Sequence, residues 1–439
     1  MAFVHPLSSE CLKSELDLFS VPMTQTSIES ASYVEYNPIS TLTDGTPIEF
    51  VINGSGQDYL DLANTHLYVK AQILKANSQP IDANSEVGPV NLILQSLFSE
   101  VDIKLNDVLI TSTNNTYAYR AYLETLLSYG SDAKNSQLGA SLFIKDEAGK
   151  MENANPREDD ANVGLKKRHS YFTDGRNVDL LGRLHADLFY QQKYIPNDVT
   201  LRIRLIRSPN NFCLMSSTPN ENYKIHISEC KIYVRRVKIS PSVFVAHAKA
   251  LEYGSAKYPI HRIICKTYTV PRGNLDSCQE NVFAGQLPTR LVIGCVDNDA
   301  FNGNYEKNPF NFKHYNMSQL KVYLDGQQQT VRPLELNFAN SQYVTAYMSL
   351  FTGTGKQFED AGNGIHRDDY ARGYTLYAFD LTPDLGEDDH FNLVREGNVR
   401  IDMKFSVALP NTINVIVYAE FENIIEIDRT RNVKFDYSE

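Results

Sequence analysis

VDIKLND (residues 101–107) returns in the second half of the chain as LKVYLDG (residues 320–326). Each alternates apolar with polar residues, the period of a strand with one buried face. Asn106-Asp107 marks a bend at the end of the first copy. Three further pairs follow in the same order. PIEFVI (47–52) matches PIHRII (259–264), GRLHADLF (182–189) matches GYTLYAFDL (373–381), and NDVTLRIRL (197–205) matches GNVRIDMKF (397–405). The spacings are all roughly 200 residues, so the sequence reads as a tandem of two similar strand-rich domains.

Other strand patterns fill in the repeat. Leu67, Val69, Ala71 and Ile73 share one face, with Tyr68, Lys70 and Gln72 on the other. Residues 184–190, 199–206 and 225–239 read as strands, the last with a bulge where its phase slips. The run 412–427, ending NVIVYAEFENIIEI, reads as a strand buried on both faces, with a loose charged tail from Asp428.

A helix is expected at about 116–129, with Asn115 as its cap, Tyr119, Tyr122, Leu123, Leu126 and Leu127 as its stripe, and Gly130 at its end. Its counterpart carries Tyr343, Ala346, Tyr347, Leu350 and Phe351, with Ser341 as cap and Gly353 as stop. Each helix precedes a polar stretch, about 131–179 and 353–372. Both are expected to be exposed and mobile, the first on the outer face.

These patterns give an all-β fold with a few short helices, built as two tandem eight-stranded jelly rolls. The expected organisation is an acidic N-terminal arm (1–45), a first jelly roll (46–239, with its insertion at about 131–179), a linker helix (240–257) and a second jelly roll with a C-terminal tail (258–439). Ser240 would cap the linker helix, with Pro241 in its first turn and Gly254 past its end. In the arm, Leu12, Leu16, Leu18 and Phe19 are apolar spots on a segment too short for a core of its own. They are expected to gain order by docking onto another surface.

Composition narrows the function. The 439 residues carry a formal net charge of −11, which disfavours strong direct nucleic-acid binding. The local basic clusters, Lys166, Lys167, Arg168 and His169, then Arg235, Arg236 and Lys238, read as solvated faces. No apolar run reaches the ~18 residues of a membrane span, and the N-terminus has no basic start followed by an apolar core. Cys11, Cys213, Cys230, Cys265, Cys278 and Cys295 are scattered, which fits reduced thiols in a cytosolic or nuclear setting. The sequons opened by Asn53, Asn114 and Asn316 then read as polar turns.

The sequence carries little that points to chemistry. FTGTGKQF (351–358) lacks the spacing of a phosphate loop. VDNDAFNGN (296–304) places Phe301 where a calcium loop needs an oxygen ligand. Asp368-Asp369 and Glu387-Asp388-Asp389 read as solvated charge. None of the ten histidines has metal-ligand spacing, and no nucleophile elbow occurs. The expectation is no catalytic residue, no metal and no cofactor.

SELDLFSVPMTQTSIE (14–29), followed by Tyr33 and Tyr36-Asn37-Pro38, resembles the N-terminal signature of major capsid proteins of Polinton (Maverick) elements and adintoviruses. The similarity continues through residues 47–73, 90–107 and 114–130, and more loosely to about Glu426. It implies a double jelly-roll capsid protein of the adenovirus-hexon lineage without enzymatic residues. Three copies would form a pseudo-hexagonal homotrimer. Neighbouring capsomers and penton or minor capsid proteins would be its partners, in an icosahedral virion shell around double-stranded DNA, assembled in the host nucleus or cytoplasm. Two other readings stay open: a β-sandwich glycan-binding module, and a domesticated capsid-like protein that no longer assembles.

Overall fold

The computed structural model describes residues 5–54, 56–111, 114–218, 222–328, 334–385 and 390–435. The first half of the chain contributes strands β1 (Ile28–Tyr36), β2 (Ile48–Ile52), β3 (Asp58–Lys75), β4 (Val87–Pro89), β5 (Phe98–Leu105), β6 (Val108–Leu109), β7 (Val178–Gly182), β8 (Leu201–Arg207), β9 (Leu214–Ser216) and β10 (Tyr223–Ile239). The second contributes β11 (Ala256–Val270), β12 (Asp276–Gln286), β13 (Arg290–Asp297), β14 (Met317–Leu324), β15 (Gln327–Gln328), β16 (Leu334–Glu335), β17 (Leu376–Asp380), β18 (Glu396–Phe405), β19 (Ile413–Ile427) and β20 (Val433–Phe435).

Sheet order repeats position for position. The first half pairs β1-β10-β3-β7 and β2-β8-β5-β6. The second pairs β11-β19-β13-β17 and β12-β18-β14-β15, with β20 added to β19 and β16 to β14. Each half is thus an eight-stranded jelly roll, and β4 with β9 forms a separate ribbon in the first.

The repeat VDIKLND/LKVYLDG falls on equivalent strands, β5 and β14. Both strands turn back through two residues of positive φ: Asn106 (44°) and Asp107 (70°), then Asp325 (50°) and Gly326 (75°). Such a pair matches the right-handed twist of a hairpin. Facing β5, Leu205, Ile203 and Leu201 stand opposite Val101, Ile103 and Leu105. Facing β14, Met403, Ile401 and Val399 stand opposite Leu320, Val322 and Leu324. The NDVTLRIRL/GNVRIDMKF match therefore names equivalent strands, with the ladder register displaced by two residues and the buried face kept.

The other two matches fall on non-equivalent positions. PIEFVI lies in β2, the outer strand beside β8, whereas PIHRII lies in β11 beside β19. The positional equivalent of β11 is β1, so the first jelly roll begins at Ile28, inside the stretch read as an arm. GRLHADLF follows β7 instead of forming a strand, and Asp187–Phe189 is a 3-10 turn. Its alternation reflects Leu184, Ala186 and Leu188 packing inward from irregular backbone.

The helix Tyr117–Ser128 is buried along eleven of its twelve residues. Its N-cap position is Thr116, not Asn115, and that of the second-half helix Val344–Thr352 is Tyr343, not Ser341. β10 shifts register at Ile227/Glu229 and Tyr233/Arg235, the two places where its phase slips. β19 runs between β11 and β13 with its first seven residues buried. The tail is held down: Arg431 donates from Nε to the Asn197 carbonyl at 2.7 Å, and its own carbonyl accepts from Asn106 Nδ2 at 2.8 Å.

The stretch 131–179 is not an exposed loop. It contains the helix Val163–Phe172 and buries Leu142, Phe143, Met151, Leu165 and Phe172. It packs against the second half, where Tyr374 OH donates to the Asp146 carbonyl at 2.6 Å and Lys145 pairs with Asp369 at 2.6 Å.

Candidate functional site: internal polar centres and exposed apolar surfaces

The junction between the jelly rolls is built around the helix Tyr117–Ser128. Tyr119 and Tyr122 face a wall of aromatic side chains from the second half. Tyr122 stacks on Phe310 at 4.2 Å between ring centroids, and Tyr119 stacks on Phe301 at 5.5 Å. Phe312 and the first-half residues Phe143 and Phe212 complete the cluster. Offset-stacked and edge-on rings of this kind add about 0.5–1.5 kcal/mol per pair beyond the area they bury.

The polar side of the same helix holds a charge cluster. Arg120 Nε contacts Glu124 Oε1 at 2.8 Å, and its Nη2 contacts Asp187 Oδ1 at 2.5 Å. His185 Nδ1 lies 2.6 Å from Glu124 Oε2, and Tyr190 OH donates to the same oxygen at 3.1 Å. The Ile263 amide, from β11, donates to Asp187 at 3.2 Å. Burial raises the Glu124 carboxyl, but Arg120 and His185 outweigh it and hold the group down at about 2. Burial pushes Asp187 up, opposed by Arg120. Every charge in the cluster has a partner, so it reads as a pin between the halves. A cleft of about 580 Å³ opens beside it, lined by Glu124, Arg183, Tyr190, His261, Arg290 and Glu420. Arg290 is already paired with Glu420 at 3.1 Å.

A second centre corrects the reading of Lys166, Lys167, Arg168 and His169 as a solvated face. Lys166 and Lys167 are exposed, but Arg168 and His169 are buried. Arg168 donates to the carbonyls of Pro89 and Ile144 and to Asp146, which also accepts from Asn162 and Asn308. The other basic cluster is also engaged. Arg235 contacts Asp61 at 2.5 Å, Lys238 contacts Glu29 at 3.0 Å, and Arg236 donates to Tyr36 OH and the Asn53 carbonyl. These contacts tie β1, β3 and the residue that follows β2 to β10.

The remaining motifs are structural. Lys307 places its ammonium 2.9 Å from Asp297 and 2.8 Å from Asp299, where a calcium loop would hold its ion. In FTGTGKQF, Lys356 donates to the Ser128 carbonyl. Asp369 caps the short helix Arg367–Tyr370. Glu387, Asp388 and Asp389 lie outside the described residues. Among the described residues no group of three or more His, Cys, Asp or Glu side chains could hold a metal. No helix there is long and apolar enough to cross a membrane.

The arm residues Leu12, Leu16, Leu18 and Phe19 are 64–96% exposed and take no part in the core, nor do Leu7, Val21 and Met23. Sequence reasoning missed a second exposed apolar surface. The linker helix Pro241–Ala250 buries none of its residues, and Val245 and Tyr253 are 65% and 85% exposed. Ser240 holds the cap position without a side-chain cap bond. The signal was present, since PSVFVAHAKA is apolar around nearly its whole circumference.

No protein-family model matches the chain. An uncharacterized protein of Caenorhabditis elegans is 27% identical over 430 residues, which cover 94% of this chain and 98% of that one. Among solved structures, a chain in the cryo-EM structure of the Sputnik virophage superposes with a TM-score of 0.67 at 12% identity, covering 98% of this chain and 94% of its own. The mavirus major capsid protein gives 0.54 at 13% identity (99% and 95%), and the Faustovirus major capsid protein 0.56 at 8% (93% and 92%). This chain shares the double jelly-roll fold of these proteins.

Proposed function

We propose that this chain is a structural major capsid protein of the Polinton and adintovirus type. In this reading three copies associate along the sides of their jelly rolls into a pseudo-hexagonal capsomer, and capsomers tile an icosahedral shell around double-stranded DNA. The observation that carries the reading is the double jelly roll itself, with the same sheet order in both halves of one chain. Its superposition covers nearly the whole of chains from capsid-forming viruses. Two similar units repeated threefold give six near-equivalent edges, which is what a closed symmetric tile needs.

Electrostatics support a shell that does not itself condense the genome. The net charge is −11, and Arg168, Arg235, Arg236 and Lys238 are engaged by the protein's own carboxylates and carbonyls. The role is mechanical, and the two internal charge clusters hold the halves together. The working organisation is two jelly rolls either side of the linker helix. The exposed segment carrying Leu12, Leu16, Leu18 and Phe19 serves as an inter-capsomer arm, and penton and minor capsid proteins are further partners.

Electron microscopy of the purified protein, with light scattering at micromolar concentration, tests this. Pseudo-hexagonal trimers or shells are expected. A protein that stays monomeric by both measurements would overturn the capsid reading and favour a binding module or a domesticated copy.

A further inference from the structure

The two exposed apolar surfaces start from the same place. The last arm residue before β1 is Ser27, and its carbonyl accepts from the Ser240 amide at 2.8 Å. Ser240 is the residue that opens the linker helix. Ile28, Tyr59, Val237 and Ile239 pack there with Val243 and Phe244, in a small apolar cluster apart from the main core. Val243 and Phe244 thus face inward, and Val245, Ala246, Ala250 and Tyr253 remain open. Within one copy the arm does not cover this face: Phe19 is 96% exposed and Tyr253 85%.

Charge distinguishes the two surfaces. The arm carries Glu10, Glu15 and Asp17 against Lys13. Around the linker helix stand Lys193, Lys249, Lys257 and Arg429 against Glu252, Glu426 and Asp428. The surfaces have opposite net charge and each exposes large apolar side chains, the pairing expected of complementary interfaces. Residues 5–26 span roughly 70 Å when extended, enough to cross to an adjacent molecule.

We propose that the arm of one copy docks on the linker-helix face of a second copy, with Leu16, Leu18 and Phe19 covering Val245 and Tyr253. The inference deepens the capsid reading and rests on it for its setting. Because each arm is rooted beside its own copy's receptor face, arms can be exchanged between neighbours, each copy giving one arm and receiving one.

The native thiol of Cys11 supplies the test. Cys11 and Cys278 are exposed, and the other four cysteines are buried. The full-length chain carrying Cys278→Ser and Val245→Cys is prepared in light and isotopically heavy forms, mixed under assembly conditions and treated with a short bismaleimide. The expected result is a cross-link from Cys11 to the introduced thiol that joins light to heavy chains. Adding Leu18→Asp and Phe19→Asp is expected to lower its yield about tenfold or more, since full burial of each side chain contributes more than the energy of one decade. Cross-links confined to single chains, or a yield no higher than with Leu393→Cys in place of Val245→Cys, overturn the proposal. Leu393 is an equally open control, 87% exposed. Negative-stain images of the same samples report on the capsid reading separately. Shells without the inter-chain link sink this contact alone, and absence of any assembly sinks both.

Discussion

The guanidinium of Arg168 meets the carboxylate of Asp146 at 2.7 Å with neither side chain exposed to solvent. Their remaining hydrogen-bonding capacity is directed at Pro89, Ile144, Asn162 and Asn308, so the pair joins the ribbon strand β4, the stretch 131–179 and the second half. Removing one partner of such a pair leaves an uncompensated buried charge. Asp146→Ala or Arg168→Met is therefore expected to destabilise the protein by about 3–5 kcal/mol. Urea unfolding monitored by near-ultraviolet circular dichroism measures it. A loss below about 1 kcal/mol would show that water reaches the site.

Lys134 carries a pH dependence of definite sign. Its ammonium is buried between the Leu126 and Asn363 carbonyls. Desolvation, with Lys145 and Lys356 nearby, holds its pKa down at about 7. The unfolded chain has an ordinary lysine near about 10.4. Between those values the unfolded state binds the proton that the folded state releases, so this group's contribution rises with pH, by at most about 1.4 kcal/mol per pH unit. Comparing the parent with Lys134→Met at pH 7 and pH 8.5 isolates it. The parent is expected to gain relative to the variant as pH rises, and a flat difference contradicts the assignment.

The thiols divide into two classes. Burial pushes Cys213, Cys230, Cys265 and Cys295 up to about 12, whereas Cys11 and Cys278 are exposed. Titration of the native protein with a thiol-reactive dye at pH 8 is expected to modify Cys11 promptly, Cys278 more slowly because its hydrogen bond to Asp402 raises its thiol, and the rest only on unfolding. Above an unfolded value of about 8.5 the four buried thiols oppose Lys134. Their folded-state pKa values are raised, so their contribution is full below that pH and is lost progressively as the pH climbs towards about 12.

Proteolysis distinguishes the arm from the stretch 131–179. Lys13 is the single lysine or arginine among residues 1–45 and lies on exposed chain. Limited trypsin is expected to cut there first and to spare residues 131–179 until global unfolding. Deleting residues 1–24, upstream of the Gln25 side chain that accepts from the Ile28 amide at 2.7 Å, is expected to leave the thermal midpoint within about 2 °C, because none of the described residues of that stretch contributes to the core. Shell assembly should fail in the same truncated protein under negative stain. A large drop in midpoint would place the arm in the core, and normal shells would make it dispensable.

How much of this was legible follows from where the physical signal lies. The alternation of β3, the hairpin at Asn106-Asp107 and the apolar run of β19 are local patterns, and each is found where its period places it. β1 was missed because IESASYVEY is half-buried at only three positions, so it shows little apolar alternation. PIHRII was paired with the wrong strand because a sheet position is defined by the ladder partner, β19 for β11 and β8 for β2, and partners lie far off in sequence. Arg168 looked like a solvated charge for the same reason. Asn308 and Tyr374, which close the site around its partner Asp146, come 140 or more residues later. The exposed arm was readable as apolar spots without a core, and the open face of the linker helix was passed over despite its visible apolar composition, since an apolar helix is ordinarily read as buried.

The aromatic wall has a consequence for synthesis. Tyr122 leaves the ribosome about 190 residues before Phe310, a wait of roughly 10–40 s at ordinary elongation rates. During that interval the face of Tyr119 and Tyr122 has no partner from the second half. The nascent first half is a sticky intermediate, and on a crowded polysome several such faces are presented at once. Chaperone occupancy on translating ribosomes should therefore peak after codon 130 and fall once codon 375 has cleared the exit tunnel. At that point Phe310, Phe312 and Tyr374 are all available to close the junction.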